Sequence, residues 1–154
     1  MRTFLIFLFV ISVPIIGRAG DAAHYTTPAA GTPLRKELMD ALRVPVERHL
    51  GQPVMFKVGT LRVSGGWAFF VGNAIQPNGK PVDYRKSQQF RTSPRDTLSD
   101  VESGILFGGV DALLKRDGDR WKIMAITYDA GDVHWLDYDK RFGAPRRMIA
   151  DPLD

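Results

Sequence analysis

The chain has 154 residues, 44% of them hydrophobic and 25% charged, a composition typical of one ordinary globular domain. It contains no Cys, which excludes a disulfide scaffold, a thiolate metal site, a Cys nucleophile and a lipid-anchored Cys. The formal net charge of +4 hints at an acidic partner, but part of that charge lies in a segment that we expect to be removed.

The first nineteen residues have the pattern of a secretory signal peptide. Arg2 gives a positive start, and residues 4–17 are an uncharged run of fourteen. Small residues at Gly17 and Ala19 predict cleavage before Gly20. The run is shorter than the roughly 20 apolar residues of a spanning helix, and an uncleaved anchor is the alternative. We therefore expect an exported protein, periplasmic or secreted, with no membrane span after cleavage.

Cleavage would also change the charge of the chain. Removal of Arg2 and Arg18 leaves 19 basic and 17 acidic side chains, a net charge of +2. A nucleic-acid-binding protein usually concentrates a basic surplus on one face, and an exported protein rarely meets intracellular nucleic acid. We therefore expect no nucleic-acid partner.

Composition divides the rest of the chain into three parts. Residues 20–31 are rich in small and turn-forming residues and are predicted to be a flexible lead-in. Residues 32–145 are predicted to form a single α+β domain, and residues 146–154 a tail.

The domain is predicted to open with a helix. Thr32 can cap its first turn, and Pro33 suits the first helical position. Apolar residues recur every four positions through Val46 and form one stripe. Pro45 predicts a kink or a break into two short helices, and Gly51 predicts the end.

Alternating apolar residues predict a first hairpin from residues 54–63 and 67–75, joined by a tight turn. The alternation changes phase near Gly59 and Thr60, which predicts a β-bulge. After an Asn-Gly turn, residues 82–89 are predicted to return as a polar strand.

The second half of the domain is predicted to begin with a long loop over residues 91–104, either without regular structure or with one helical turn. A second hairpin follows, from residues 105–116 and 121–128. Asp132 then caps a short helix that ends at Gly143.

This order predicts an α+β roll, in which the N-terminal helix packs on a curled antiparallel sheet of about five strands and a short helix ends the domain. Leu38 and Trp67 are expected in the core.

The segments that carry a resemblance to known proteins are residues 42–47, 50–54, 61–63, 66–69, 112–116 and 132–135. Together they resemble an uncharacterised group of small exported bacterial proteins. That resemblance implies no activity and no catalytic residues, while the element order is similar to cystatin-like and NTF2-like folds, which host enzymes, binders and inhibitors alike.

Two residues are candidates for catalysis. His134 lies in an aromatic-rich segment near several Asp residues, so it could be a general base or a metal ligand. The spacing favours a surface or half-buried aromatic residue instead, with Asp137 as a possible pairing partner. Asp111 interrupts an apolar strand, where a carboxylate needs a partner such as Arg62 or faces a cavity as an acid or base.

Four basic residues are candidates for binding: Arg85, Lys86, Arg91 and Arg95. They surround the predicted third strand, where they either protect a sheet edge or meet an anionic component of the cell envelope. No segment matches a calcium loop, a phosphate loop or a nucleophile elbow, so neither a metal nor another cofactor is predicted.

Three functions remain open. The favoured one is a non-catalytic binding or interaction domain that uses the concave sheet or the 91–104 segment to bind a protein or small molecule of the cell envelope. The alternatives are a small enzyme with a pocket around Asp111 or His134, and a structural accessory of the envelope. An enclosed polar cavity favours the enzyme, and a packed interior with an exposed apolar patch favours the interaction domain.

Overall fold

The computed structural model describes residues 25–150. The predicted signal peptide and its cleavage site lie outside the described residues, as do residues 151–154 of the predicted tail. The chain folds as an α+β domain whose four strands form one antiparallel sheet in the order β1-β2-β3-β4. The elements in chain order are α1 Pro33–Leu50, β1 Met55–Ser64, β2 Trp67–Ile75, a 3₁₀-helix Tyr84–Lys86, α2 Gln88–Thr92, α3 Pro94–Glu102, β3 Gly109–Asp117, β4 Arg120–Tyr128, a 3₁₀-helix His134–Asp137, α4 Tyr138–Phe142 and α5 Arg146–Ala150.

Helix α1 forms largely as its sequence predicts. The Thr32 side chain accepts a hydrogen bond from the Arg35 backbone N–H, with Pro33 in the first helical position, and the chain leaves the helix at Gly51 with φ of 67°. The predicted break at Pro45 is wrong, because the helix continues through that residue to Leu50.

The first hairpin contains the predicted bulge. Its pairing passes from Val58 opposite Gly72 to Thr60 opposite Val71, so Gly59 is the extra residue. Gly72 is required beside this bulge, because a Cβ atom there would lie 2.4 Å from the carbonyl oxygen of Lys57. The bulge prediction is therefore confirmed, and the structure adds that the two backbones approach closely at Gly72.

Both faces of the sheet are covered over its centre. On one face Leu38 of α1 packs in a buried cluster with Phe70 and other residues of the sheet. On the other face Phe69 and Trp67 pack with Tyr138 of α4. Leu38 and Trp67 are thus both buried, as predicted. The C-terminal segment covers the face that the sequence left open, so neither face of the sheet is open over its centre.

The number of strands is four rather than about five, because the predicted third strand is helical. The Asp83 carboxylate accepts from the Arg85 N–H at 3.2 Å, and the Ser87 hydroxyl accepts from the Phe90 N–H at 3.1 Å. Each contact begins a helical turn and competes with strand pairing. Only an isolated bridge between Ile75 and Pro81 remains of the predicted ladder.

The predicted 91–104 loop is also helical. It holds the end of α2 and all of α3, which begins at Pro94, a residue suited to the first helical turn. The Thr97 hydroxyl is buried and donates to the Ser93 carbonyl at 2.8 Å. Residues 76–108 therefore form a helical insert between the two hairpins.

The C-terminal segment differs from its prediction in two ways. The Asp132 side chain does not cap a helix; its carbonyl accepts from the His134 N–H, and a 3₁₀-helix leads into α4, which ends at Gly143 as predicted. The predicted tail begins with helix α5, where Met148 is buried and its carbonyl accepts from the Arg62 guanidinium at 3.3 Å. None of the helices between residues 25 and 150 is long and apolar enough to cross a membrane.

Candidate functional site

Asp111 lies in the middle of the sheet, on the face that the C-terminal segment covers. It pairs across the strands with Val71 and Thr127, and its side chain is 8% exposed. Among residues 25–150, the Asp111 carboxylate forms no ion pair with Arg62 or with any other residue and accepts no hydrogen bond. Burial raises the pKa of Asp111, Asp129 adds to that rise, and the charge of His134 opposes it.

The structure brings His134 close enough to Asp111 for the two charges to interact. The Nδ1 atom of His134 lies 3.1 Å from the Asp132 carbonyl oxygen, while Nε2 is buried and has no hydrogen-bond partner in the described part of the chain. The expected pairing with Asp137 does not occur, because that carboxylate lies 3.6 Å from Arg141. His134 is thus a half-buried ring with one unsatisfied nitrogen.

Tyr138 completes the group that we call the Asp111 cluster: Asp111, Thr127, His134 and Tyr138. The His134 ring meets the Tyr138 ring edge-on at 6.1 Å. Burial raises the pKa of Tyr138, and the Thr127 side chain opposes this rise. A carboxyl group with a raised pKa beside an imidazole can transfer protons. Among residues 25–150 no group of His, Asp and Glu could hold a metal ion, here or elsewhere.

A second buried polar network ties the insert to the sheet. The Tyr84 hydroxyl donates to the Asp129 carboxylate and accepts from the Gly108 N–H at 2.8 Å. The other Asp129 oxygen accepts from the N–H groups of Phe107 and Gly109 at 3.0 and 2.7 Å. Burial and the Asp129 carboxylate raise the pKa of Tyr84. Because the Tyr84 hydroxyl and both Asp129 carboxylate oxygens have hydrogen-bond partners within the protein, we interpret this network as structural rather than as a ligand-binding site.

Sequence reasoning did not predict the Tyr84 and Asp129 pair. The two residues are 45 positions apart, and the chain between them carries no pattern that would join them. The structure marks Asp129 by its backbone. Its φ is 47°, and among the described residues other than Gly no other φ is positive. The three hydrogen bonds to its carboxylate hold the backbone in that conformation.

The four basic candidates do not lie on a strand. They are exposed and distributed over the helical insert: Arg85, Lys86, Arg91 and Arg95. The interpretation that they protect a sheet edge is therefore wrong. No ion pair joins any of them to another residue within the described range, and they converge on no buried polar group. Surface cations of this kind are a diffuse positive field rather than a built anion site.

The insert also exposes large apolar side chains. Helix α3 buries only Thr97. The exposed fractions are 37% for Leu98, 39% for Val101, 56% for Ile105 and 54% for Phe107. We call these four side chains the insert surface. Helix α3 therefore contributes little to the core, and the preceding helix α2 buries no residue.

No protein-family model matches the chain, and no curated protein and no solved structure matches it. The resemblance to small exported bacterial proteins, and the likeness to cystatin-like and NTF2-like folds, therefore stay predictions. The Asp111 cluster and the insert surface are the two features of the described chain that bear on its function.

Proposed function

We propose that the chain is an exported, non-catalytic interaction domain that binds a protein of the cell envelope through its insert surface. The carrying observation is that Leu98, Val101, Ile105 and Phe107 expose large apolar areas within ten residues of one another. Single exposed apolar side chains are ordinary on protein surfaces, whereas several grouped on one short segment mark an interaction site. An apolar surface suits a protein partner better than a small polar metabolite.

The rest of the molecule supports this reading. The centre of the sheet is packed on both faces by the protein's own helices. The two hairpins and α1 thus form a rigid scaffold, and the insert projects from it between β2 and β3. Binding residues on segments held by a rigid scaffold are a common arrangement. The Tyr84 and Asp129 network keeps the insert in a defined position on that scaffold.

The proposal of export rests on the pattern of residues 1–19 alone. It is tested by the intact mass of the protein isolated from its native host. We expect a mass that begins at Gly20. A mass that retains residues 1–19 would contradict cleavage at this position.

The interaction is tested by affinity capture from envelope extracts of the native host, with wild-type protein and a Leu98→Asp variant. We expect at least one protein to be captured by the wild type and lost with the variant. The matched control is Leu136→Asp, because Leu136 is 59% exposed and lies outside the insert. Equal capture by all three proteins would contradict a role for the insert surface.

A second candidate function is an enzyme centred on the Asp111 cluster. The observation in its favour is that the His134 Nε2 atom is buried without a hydrogen-bond partner in the described chain, and that the buried Asp111 lies within range of its charge. Turnover of a captured small molecule that is lost in Asp111→Asn and in His134→Ala, with the fold retained, would establish this function. Partner capture that is unchanged in both variants favours the non-catalytic proposal.

A further inference from the structure

Helix α3 carries opposite charges at its two ends, on the same side as its exposed residue Leu98. Arg95 and Glu102 are seven positions apart, which is two helical turns or about 10 Å along the axis, and they point in nearly the same direction. Leu98 lies between them, three positions after Arg95 and four before Glu102. The exposed stripe therefore runs from a basic residue through an apolar one to an acidic one.

Neither charge is explained by contacts within residues 25–150. Arg95 and Glu102 are exposed, and within residues 25–150 neither forms an ion pair or a hydrogen bond through its side chain. Both are also at the less favourable end of the helix. The helix dipole favours acidic residues near the N-terminus and basic residues near the C-terminus, whereas Arg95 is in the first turn and Glu102 is the last residue.

Two copies of this stripe are complementary when they are placed antiparallel, because the basic end of each then faces the acidic end of the other. A two-fold axis near Leu98 places two α3 helices antiparallel, so that Arg95 of each copy faces Glu102 of the other while the two Leu98 side chains meet. Such an interface uses the same surface on both subunits, as in most closed dimers. Each copy then supplies the apolar cover and the opposite charge that the other lacks.

From this complementarity we propose that the partner of α3 is a second copy of this chain, bound antiparallel across Leu98 with two reciprocal ion pairs between Arg95 and Glu102. The inference rests on the proposed role of the insert surface and names its occupant. Exposed ion pairs contribute register and specificity, while Leu98 and Val101 supply most of the association energy. The dimer is accordingly sensitive both to a charge placed at Leu98 and to salt.

The test is sedimentation velocity of the protein purified from its native host, over a range of concentrations. The wild type is expected to pass from monomer to dimer, and Leu98→Asp to stay monomeric where the wild type is mostly dimeric. Arg95→Glu and Glu102→Arg alone each place two like-charged contacts in the interface. Each is expected to weaken the dimer by about tenfold or more.

The decisive variant carries both Arg95→Glu and Glu102→Arg. It restores opposite charges across the two-fold axis, so its dimer should recover to within about threefold of the wild type. The new charges also suit the helix dipole, so misfolding of α3 does not account for a loss in the single variants. Additive weakening in the double variant, or a dimer insensitive to Leu98→Asp, would overturn the proposal.

Failure of this inference is distinguishable from failure of the proposed function. A chain that stays monomeric at all concentrations, yet captures another protein in a manner that depends on Leu98, overturns the dimer and leaves the interaction domain in place. A chain that shows neither self-association nor Leu98-dependent capture overturns both.

Discussion

The Tyr84 hydroxyl donates a hydrogen bond to the Asp129 carboxylate, and this contact joins the helical insert to the end of β4. The same hydroxyl accepts the buried Gly108 N–H, so one oxygen atom satisfies two groups on separate segments. The Tyr84 hydroxyl therefore helps to hold the insert against the sheet, together with the Gln52 side chain, which bonds to the Asp83 backbone, and the buried Val82 and Leu106.

Removal of that hydroxyl should cost more than one ordinary hydrogen bond. Tyr84→Phe leaves the Gly108 N–H and one Asp129 oxygen without their partner, so we expect the free energy of unfolding to fall by about 1 to 3 kcal/mol. The matched control is Tyr128→Phe, because no hydrogen bond of the Tyr128 hydroxyl occurs in the described chain. Urea unfolding measures both, and equal stability losses would contradict the network.

The packing of α1 is tested at Leu38, which is fully buried against the sheet. Leu38→Ala should lower the free energy of unfolding by about 2 to 5 kcal/mol through cavity formation. Val44→Ala on the exposed side of the same helix should change it by less than about 0.5 kcal/mol. A decrease of less than about 0.5 kcal/mol for Leu38→Ala would show that α1 does not pack against the sheet.

The parts of the fold that depend on short local sequence patterns were predicted correctly, whereas a short polar alternation was not a reliable sign of a strand. The end of α1 at Gly51 and the bulge at Gly59 follow from local patterns, and both are observed. The strand predicted over 82–89 failed because Asp83 and Ser87 cap helical turns, and these contacts compete with a short polar alternation.

The candidate site was predictable in its residues and not in its geometry. Asp111 was conspicuous because a carboxylate interrupts an apolar strand, and His134 because it lies among aromatic residues. Their proximity arises only when the chain after β4 folds back over the sheet. The exposure of Leu98 was likewise not predictable, because the segment that carries it gave no sustained apolar pattern.

The role of α5 gives a further prediction, since the sequence assigned these residues to a tail. Met148 is buried with Tyr138 and Phe69 against the sheet. Met148→Ala should therefore lower the free energy of unfolding by about 2 to 5 kcal/mol. Arg147→Ala, at the exposed neighbouring position, should have an effect below about 0.5 kcal/mol. Equal unfolding midpoints for these two variants would show that α5 does not belong to the core.

Asp111 should give the stability of the protein a distinctive pH dependence. Burial raises the pKa of Asp111 above its ordinary value of 3.8, so the folded chain binds this proton more tightly than the unfolded chain does. The contribution of Asp111 to stability is therefore largest at acidic pH and is lost as the pH rises from 3.8 through the raised pKa.

Asp111→Asn should remove that loss. We expect the variant to be more stable than the wild type at neutral pH and the difference to shrink as the medium is acidified, as measured by urea unfolding at a series of pH values. Asp119→Asn, at an exposed position in the β3 to β4 turn, is the control and should follow the wild-type profile. A stability difference for Asp111→Asn that is the same at every pH would show that the charge of Asp111 is not its cause.

The claim that the insert surface binds a partner is tested most directly by site-specific photo-crosslinking in the native host. A photoreactive amino acid is placed at position 98 in one strain and at position 136, which is exposed outside the insert, in another. We expect a discrete light-dependent adduct from position 98 and none from position 136. Mass spectrometry of the adduct then shows whether it holds a second copy of the chain or another protein. No adduct from position 98, or the same adducts from both positions, would contradict the claim.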